Sequence, residues 1–376
     1  MPIHGTLSVP NGDTLGALRA FLGTLLENKV VDALLVPVPT PDRRNLVPTL
    51  VRDPAQLANA DPIAPVMPIQ TARVLSQLTF TGTKERLAVV LKACEWRAVV
   101  ELTKLKQIDL EKVLTIGIDC YGTFKVLDYG AMAAPEPNLT ARLLETAEPT
   151  TGFAWPGRAL RTACRVCDHF VPTGVDIRLG LLGMDPRQEI LVELADGRAE
   201  LAPLLGIVAQ EAPAGRAEAI AALQQARKAR RDEAFAAIRE QIKTREGMMN
   251  IFSPCLRCHN CTVVCPICYC RECIFRTPTF DHDSQQYMKW ADRRGAVRMP
   301  TDTILFQITR LNHMSASCVA CGLCEEGCPS DLPLTLIFSA VGEQVQKVFE
   351  YEAGRSLEDE LPLTVFREDE LHVVEK

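Results

Sequence analysis

Residues 253–273 read SPCLRCHNCTVVCPICYCREC, and residues 318–329 read CVACGLCEEGCP. The first run holds seven of the chain's 15 cysteines and the second holds four. Cys255, Cys258, Cys261 and Cys265-Pro266 fit C-x2-C-x2-C-x3-C-P. Cys318, Cys321, Cys324 and Cys328-Pro329 fit it a second time.

That repeated spacing is the one by which two-cluster ferredoxins hold a pair of [4Fe–4S] cubanes. Three cysteines at intervals of three wrap a short loop over one face of a cubane. The fourth, followed by proline, points away toward the neighbouring cluster. The pattern therefore assigns Cys255, Cys258, Cys261 and Cys328 to one cluster, and Cys265, Cys318, Cys321 and Cys324 to the other. Structural zinc is the alternative, but it favours C-x2-C pairs at two ends of a loop. Two complete four-cysteine motifs fit a cluster pair better. Cys268, Cys270 and Cys273 are left over. One of them could replace Cys265 as a ligand. With His259 or His282 the three could hold an extra metal ion. They could also be spare thiols, and no fourth ligand stands at a convincing zinc spacing. Between the motifs, 266–317 is longer than in a minimal ferredoxin, with helices expected at 284–292 and 302–313. It looks like the helical di-cluster domains of redox complexes.

The rest of the composition is that of an ordinary globular chain of 376 residues, 47% hydrophobic and 23% charged. That length is enough for two or three domains with proper cores. A net charge of −6 gives no broad basic field for nucleic acid or anionic lipid. No apolar window of about 18 residues spans a membrane. MPIHGTLSVPNGD lacks the basic and apolar regions of a signal peptide. Clustered cysteines without a secretory signal point to metal ligands in a reducing cytoplasm rather than to disulfides.

Along the first half, helix and strand patterns alternate. Residues 13–28 place Leu15, Leu18, Leu22, Leu25 and Leu26 on one helical face, with Asp13 as N-cap. A strand is expected at 30–38, loop at 37–68 and a helix at 70–78. RLAVVL (86–91) reads as a buried strand, CEWRAVVELTKLK (94–106) as a helix and VLTIGI (113–118) as the next strand. Further strands are expected around 175–194. Strand–helix–strand in this rhythm means parallel strands. Residues 214–247, rich in Ala, Arg, Glu and Gln, read as one long helix. Its Arg227, Lys228, Arg230 and Arg231 could dock a partner, although a solvated face is the plainer reading. The expected division is an α/β domain with a parallel or mixed sheet over 1–205, a linker helix over 206–250, a helical two-cluster ferredoxin-like domain over 251–350 and an acidic tail over 351–376.

Four cysteines lie upstream. Cys94 follows the strand RLAVVL and Cys120 follows the strand VLTIGI. Positions just past the ends of neighbouring parallel strands share one sheet edge, where open α/β folds build their sites. Cys164 and Cys167, in CRVCDHF, add a C-x2-C pair, so four thiols could converge on a third cluster. Two core cysteines plus an unrelated zinc pair is the alternative.

LKACEWRAVVEL, TIGIDCYGTF and CRVCDHFVPTGVDIRLGLLG resemble the motifs of the coenzyme F420 hydrogenase/dehydrogenase beta subunit family, over roughly residues 10–245. CPICYCREC and its surroundings resemble the formate dehydrogenase members specifically. In that family FAD lies in the α/β domain beside one [4Fe–4S] cluster. The family's four cysteines fall here on Cys94, Cys120, Cys164 and Cys167. Asn11-Gly12 stand where hydrogenase members carry a Gly-Gly pair. The loop 61–74, with Pro65 and Met67, lies where members contact the flavin. The resemblance thus implies FAD near these four residues. Lys92, next to the cluster loop, could neutralise flavin or phosphate charge, although a solvated surface lysine is the plainer reading. No GxGxxG follows a strand, so neither a Rossmann NAD site nor a Rossmann-type FAD site is expected.

The resemblance implies an electron-transfer subunit with three [4Fe–4S] clusters and FAD. Its soluble hydride carrier would be F420 or NAD(P)H. Its partner would be a catalytic oxidoreductase subunit of formate dehydrogenase alpha type. Rival expectations are the same module in a hydrogenase or heterodisulfide-reductase-type complex, a flavin-free electron wire, and a zinc-stapled interaction protein.

Overall fold

Leu87–Lys92 and Val113–Ile118 decide the architecture. Both are nearly all apolar, and both are buried at every position. A strand buried on both faces belongs in the middle of a sheet covered on each side. The computed structural model, which describes residues 2–147, 152–295 and 302–366, makes them β4 and β5 of a seven-stranded sheet. The others are β1 Ile3–Ser8, β2 Ala33–Pro39, β3 Leu46–Val51, β6 Ile177–Gly180 and β7 Glu189–Leu194. Their order is β1-β7-β6-β5-β4-β2-β3. β2, β4, β5 and β6 run parallel, while β3, β7 and β1 pair antiparallel at the flanks. The sheet is therefore mixed.

The 37–68 stretch, expected as loop, contains β3 and a 3-10 turn, Pro54–Asn59. Its prolines hid the strand. Pro37 and Pro48 are direct partners in the β2–β3 pair, and β3 is an edge strand. Edges are where proline's missing N–H does least harm. The first helix, Thr14–Glu27, starts where expected, because the Asp13 carboxylate accepts the Gly16 N–H at 2.8 Å. Leu18, Leu22, Leu25 and Leu26 are buried in the core and Leu15 packs at its margin.

The long helix runs Arg216–Ile242. Thr244 then caps a new one, Arg245–Phe252, by accepting the Gly247 N–H at 3.0 Å. The single helix expected over 214–247 is thus two. Its basic cluster is not one solvated face either. Lys228 and Arg230 are exposed, but Arg227 is only 1% exposed and lies over the Phe170 ring at 4.8 Å. Arg231 pairs with Asp168.

Two compact units result. One comprises Met1–Glu233, Val319–Gly322 and Gly354–Asp359. The other comprises Ala234–Cys318, Leu323–Ala353 and the residues from Glu360 onward. The dividing point lies inside the long helix, not at 205/206 or 250/251. The second unit is helical, with Ser284–Arg294, Asp302–Met314 and Leu334–Val348 as its longer elements after Phe252. Phe252, Phe306, Ile337 and Phe338 are buried in it. In the segment expected as tail, Tyr351 and Leu361 are buried, and the Gly354 N–H donates to Glu101 at 2.7 Å. Residues 367–376 lie outside the described residues.

Candidate metal centres

Sheet register brings the first two upstream cysteines together. Lys92, the last residue of β4, is the partner of Ile118, the last of β5. Cys94 and Cys120 each stand two residues beyond that pair. Cys94 opens the helix Ala93–Lys104, whose start is held by Glu95. That carboxylate accepts the Lys92 N–H at 3.0 Å, the Thr71 N–H at 3.0 Å and the Thr71 hydroxyl at 2.5 Å. Cys120 follows Asp119, which is anchored by Arg216 and by the N–H groups of Leu181 and Leu182 at 2.8–3.0 Å. Cys164 sits on a single helical turn, Thr162–Arg165, and Cys167 just beyond it.

The four thiols are electrostatic neighbours. Cys120 feels Cys164 and Cys167, and Cys94 feels Cys120 and Cys167. Burial pushes Cys94, Cys120 and Cys167 above the usual thiol range. Cys164 moves the other way. Burial alone would raise it, but the Arg161 and Arg227 charges and two hydrogen bonds from Thr123 outweigh burial and favour the thiolate. The Thr123 N–H lies 3.3 Å from Cys164 Sγ, and Arg161 Nη2 lies 3.9 Å away. The Gly122 N–H donates to Cys120 Sγ at 3.4 Å. Lys92, Arg161 and Arg227 are all buried, at 3%, 5% and 1% exposure. Lys92 is therefore no surface lysine. Its charge faces both Cys120 and Asp61. A pocket of four cysteine thiols ringed by N–H donors and buried cations suits an anionic iron–sulfur centre, whose potential such groups set.

In the second unit one cleft is lined by Cys255, Cys258, Cys261 and Cys328, together with His259, Phe306, Gln307 and Leu334. These four cysteines are the first ligand set expected from spacing. Gln307 Nε2 lies 3.6 Å from Cys255 Sγ, and burial pushes Cys261 up to about 12. Cys265 and Cys324, from the second set, are neighbours of each other and of the buried Arg310.

Backbone conformation repeats with the motif. Arg257 and His259 flank Cys258 at φ 56° and 58°. Ala320 and Gly322 flank Cys321 at φ 56° and 75°. Left-handed non-glycine residues cost about 1–2 kcal/mol each. The same pair of reversals in both loops curls the chain around its middle cysteine.

Cys268 is pushed up to about 11 by burial and has Cys265, Cys270 and Cys273 as neighbours. His259 instead packs at a tilt against Phe306 at 4.7 Å, and His282 packs edge-on to Trp290 at 4.9 Å. Among the described residues, no group of three His, Cys, Asp or Glu side chains is spaced for a single metal ion. Four thiolates around a cubane stand further apart than four around one ion.

The five residues expected near a flavin divide. Asn11 and Gly12 line a groove of about 570 Å³ with Thr14, Arg19, Arg142 and Arg187. Pro65 and Met67 are buried, and the Phe124 N–H donates to the Pro65 carbonyl at 2.8 Å. Their loop thereby packs against the Cys120 loop. A smaller adjoining cleft shares Leu15 and Arg19 with the groove and reaches Asp61. Burial pushes the Asp61 carboxyl up. It accepts the Ala64 N–H at 2.8 Å and the Thr140 hydroxyl. Arg19 and Lys92 both bear electrostatically on Asp61, and Lys92 also bears on Cys120.

Sequence reasoning missed Arg161, Thr123, Asp61 and Arg310. Arg161 stands three residues before Cys164, Thr123 three after Cys120, and Asp61 opens the 61–74 loop, whereas Arg310 carried no signal.

Comparison with known proteins covers both units. A family model for the 4Fe-4S dicluster domain matches residues 251–332. The F420-dependent formate dehydrogenase subunit beta of Methanocaldococcus jannaschii is 25% identical over 369 residues, which cover 90% of this chain and 91% of the relative. The F420-dependent formate dehydrogenase 1 subunit beta of Methanococcus maripaludis is 26% identical over 378 residues, 93% of each chain. The chain resembles F420-dependent formate dehydrogenase beta subunits over about nine tenths of its length. The motif resemblance at the upstream cysteines and at CPICYCREC is therefore part of a likeness along nearly the whole chain. Among solved structures, a chain of the F420-reducing [NiFe] hydrogenase complex from Methanosarcina barkeri aligns with a TM-score of 0.46 at 15% identity, covering 62% of this chain and 92% of that one. Among the described residues no helix is long and apolar enough to cross a membrane.

Proposed function

We propose that the chain is the flavo-iron–sulfur electron-transfer subunit of a formate dehydrogenase-like complex in a reducing cytoplasm. Support for the cluster pair comes chiefly from one observation: two loops with the same cysteine spacing also share the same left-handed pair around the middle cysteine. The similarity to formate dehydrogenase beta subunits supports the rest.

In this reading Cys94, Cys120, Cys164 and Cys167 hold the first cluster. Cys255, Cys258, Cys261 and Cys328 hold the second, and Cys265, Cys318, Cys321 and Cys324 the third. FAD occupies the groove at Asn11 and Gly12, whose volume falls in the range of ligand sites. When bound, FAD exchanges electron pairs with F420 or a nicotinamide, and the clusters carry single electrons to or from a pterin-containing catalytic partner. The chain's own residues place and tune these groups. Arg19, Arg142 and Arg187 line the groove beside Asp13, Glu136 and Glu145, with Arg142 paired to Glu136 and Arg187 to Asp185. Gly12, at φ 74°, gives the turn beneath it a conformation that side chains resist. Burial of Asp61 and Lys92 keeps water out between groove and cysteines.

Anaerobic purification with the partner tests this. About twelve irons per chain are expected, four for each of three clusters. A preparation loaded to about eight would remove the upstream cluster. One FAD per chain should appear in the supernatant after denaturation, and its absence from the intact complex would leave a pure electron wire.

A further inference from the structure

Arg310 is 5% exposed, yet nothing in the sequence motifs requires it. It projects from the helix Asp302–Met314 into the region between the two C-terminal ligand sets. Nη2 donates to the Cys261 carbonyl at 3.0 Å. The guanidinium lies 4.3 Å over the Phe338 ring. Among the described residues, Nε and Nη1 meet no hydrogen-bond acceptor. Its charge faces Cys324, Cys261 and Cys265, and it hydrogen-bonds Cys324. In the proposed assignment Cys261 belongs to the second cluster, and Cys265 and Cys324 to the third.

A buried cation with two nitrogens lacking acceptors is destabilising unless negative charge lies against it. Two loaded centres, each an iron–sulfur core with four thiolates, are net anions and supply that charge. Gain of an electron adds one further negative charge to a centre. A fixed cation in a low-dielectric interior favours the reduced form.

We propose that Arg310 is a positioning residue shared by the two C-terminal clusters, whose fixed charge raises the reduction potential of both and keeps them usable in series. The proposal rests on the cluster assignment above. It predicts that the two centres are tuned together by one side chain, whereas the upstream centre has its own cations, Lys92, Arg161 and Arg227.

The experiment is a redox titration of the intact complex followed by electron paramagnetic resonance, on the parent and on Arg310→Met and Arg310→Lys. Methionine keeps much of the stem and leaves no buried polar group behind. At least a tenfold loss in the reduction equilibrium constant is expected for both C-terminal centres, which is a 59 mV drop for one electron. The upstream centre should not move. Arg310→Lys keeps the charge and should hold both midpoints within threefold of the parent, despite losing the guanidinium geometry. Unmoved midpoints in Arg310→Met overturn the proposal, and so does a shift in one centre only. If Arg310→Met fails to take up iron, a tenfold drop in Arg310→Lys overturns charge as the cause. A parent that lacks two C-terminal signals instead refutes the cluster assignment itself.

Discussion

Replacing Cys164 with serine should remove about four irons per chain and abolish exchange with the soluble hydride carrier, while the partner subunit still reduces an artificial dye. Cys164 is the upstream thiol whose surroundings favour the thiolate, through Arg161, the Thr123 hydroxyl and N–H, and Arg227. A serine hydroxyl is a hard, poorly ionised ligand for iron in a thiolate site. The substitution also leaves those cations and donors facing a neutral oxygen. Binding a cluster requires all four thiols to give up protons, and the other three are held above the usual range by burial. The site thus loses its most readily ionised ligand. In the proposed assignment the C-terminal centres draw no ligand from this loop, so they should keep about eight irons and pass electrons to the dye. Iron analysis and the two activities, measured on the same anaerobic preparation, decide it. Full iron with full carrier reduction would remove Cys164 from the ligand set.

That β4 and β5 are parallel strands could be read from the chain because both are buried on both faces, and a doubly buried strand leaves an uninterrupted apolar run. Both cysteine motifs were equally legible, since each is contained in one short stretch, and the 4Fe-4S dicluster family match spans them. What stayed hidden follows a common pattern. β1 and β3 are edge strands with polar or proline-bearing sequences, and pairing rather than propensity makes them strands. Lys92 and Arg227 read as surface residues because their partners, Cys120 and Asp61 for one and Phe170 for the other, are remote in sequence. Arg310 is likewise defined by Cys261, Cys265 and Cys324, and no local pattern announces a charge that answers another element. His259 in the left-handed region gave no sign, although Gly322 at the equivalent place in the second motif could have suggested a reversal there.

Asp119 should prove as critical to folding as the cysteines are to iron content. Its side chain is fully buried and accepts from Arg216 Nη2 at 2.8 Å, Leu181 N–H at 2.9 Å and Leu182 N–H at 3.0 Å. Arg216 is itself buried and also donates to the Leu182 carbonyl. Space for its guanidinium comes from Gly180, where a Cβ would stand 2.8 Å from Nη2. One carboxylate therefore ties the end of β5 to the chain after β6 and to the first turn of the long helix. Breaking a buried ion pair from one side costs about 3–5 kcal/mol, because the other charge is left without a partner. Asp119→Leu should lower the melting transition of the α/β unit by about 10 °C, from about 2–4 °C per kcal/mol at this size. Since Cys120 is the next residue, upstream iron should fall with it. Asp119→Leu combined with Arg216→Met removes both charges, and replacing a whole buried pair by apolar groups is often neutral. The double variant should regain most of the lost melting temperature. Thermal melts of the loaded parent, single and double variants supply the comparison. A single variant within about 2 °C of the parent, less than about 1 kcal/mol by the same conversion, would mean that the pair does not anchor the strand end on which Cys120 depends.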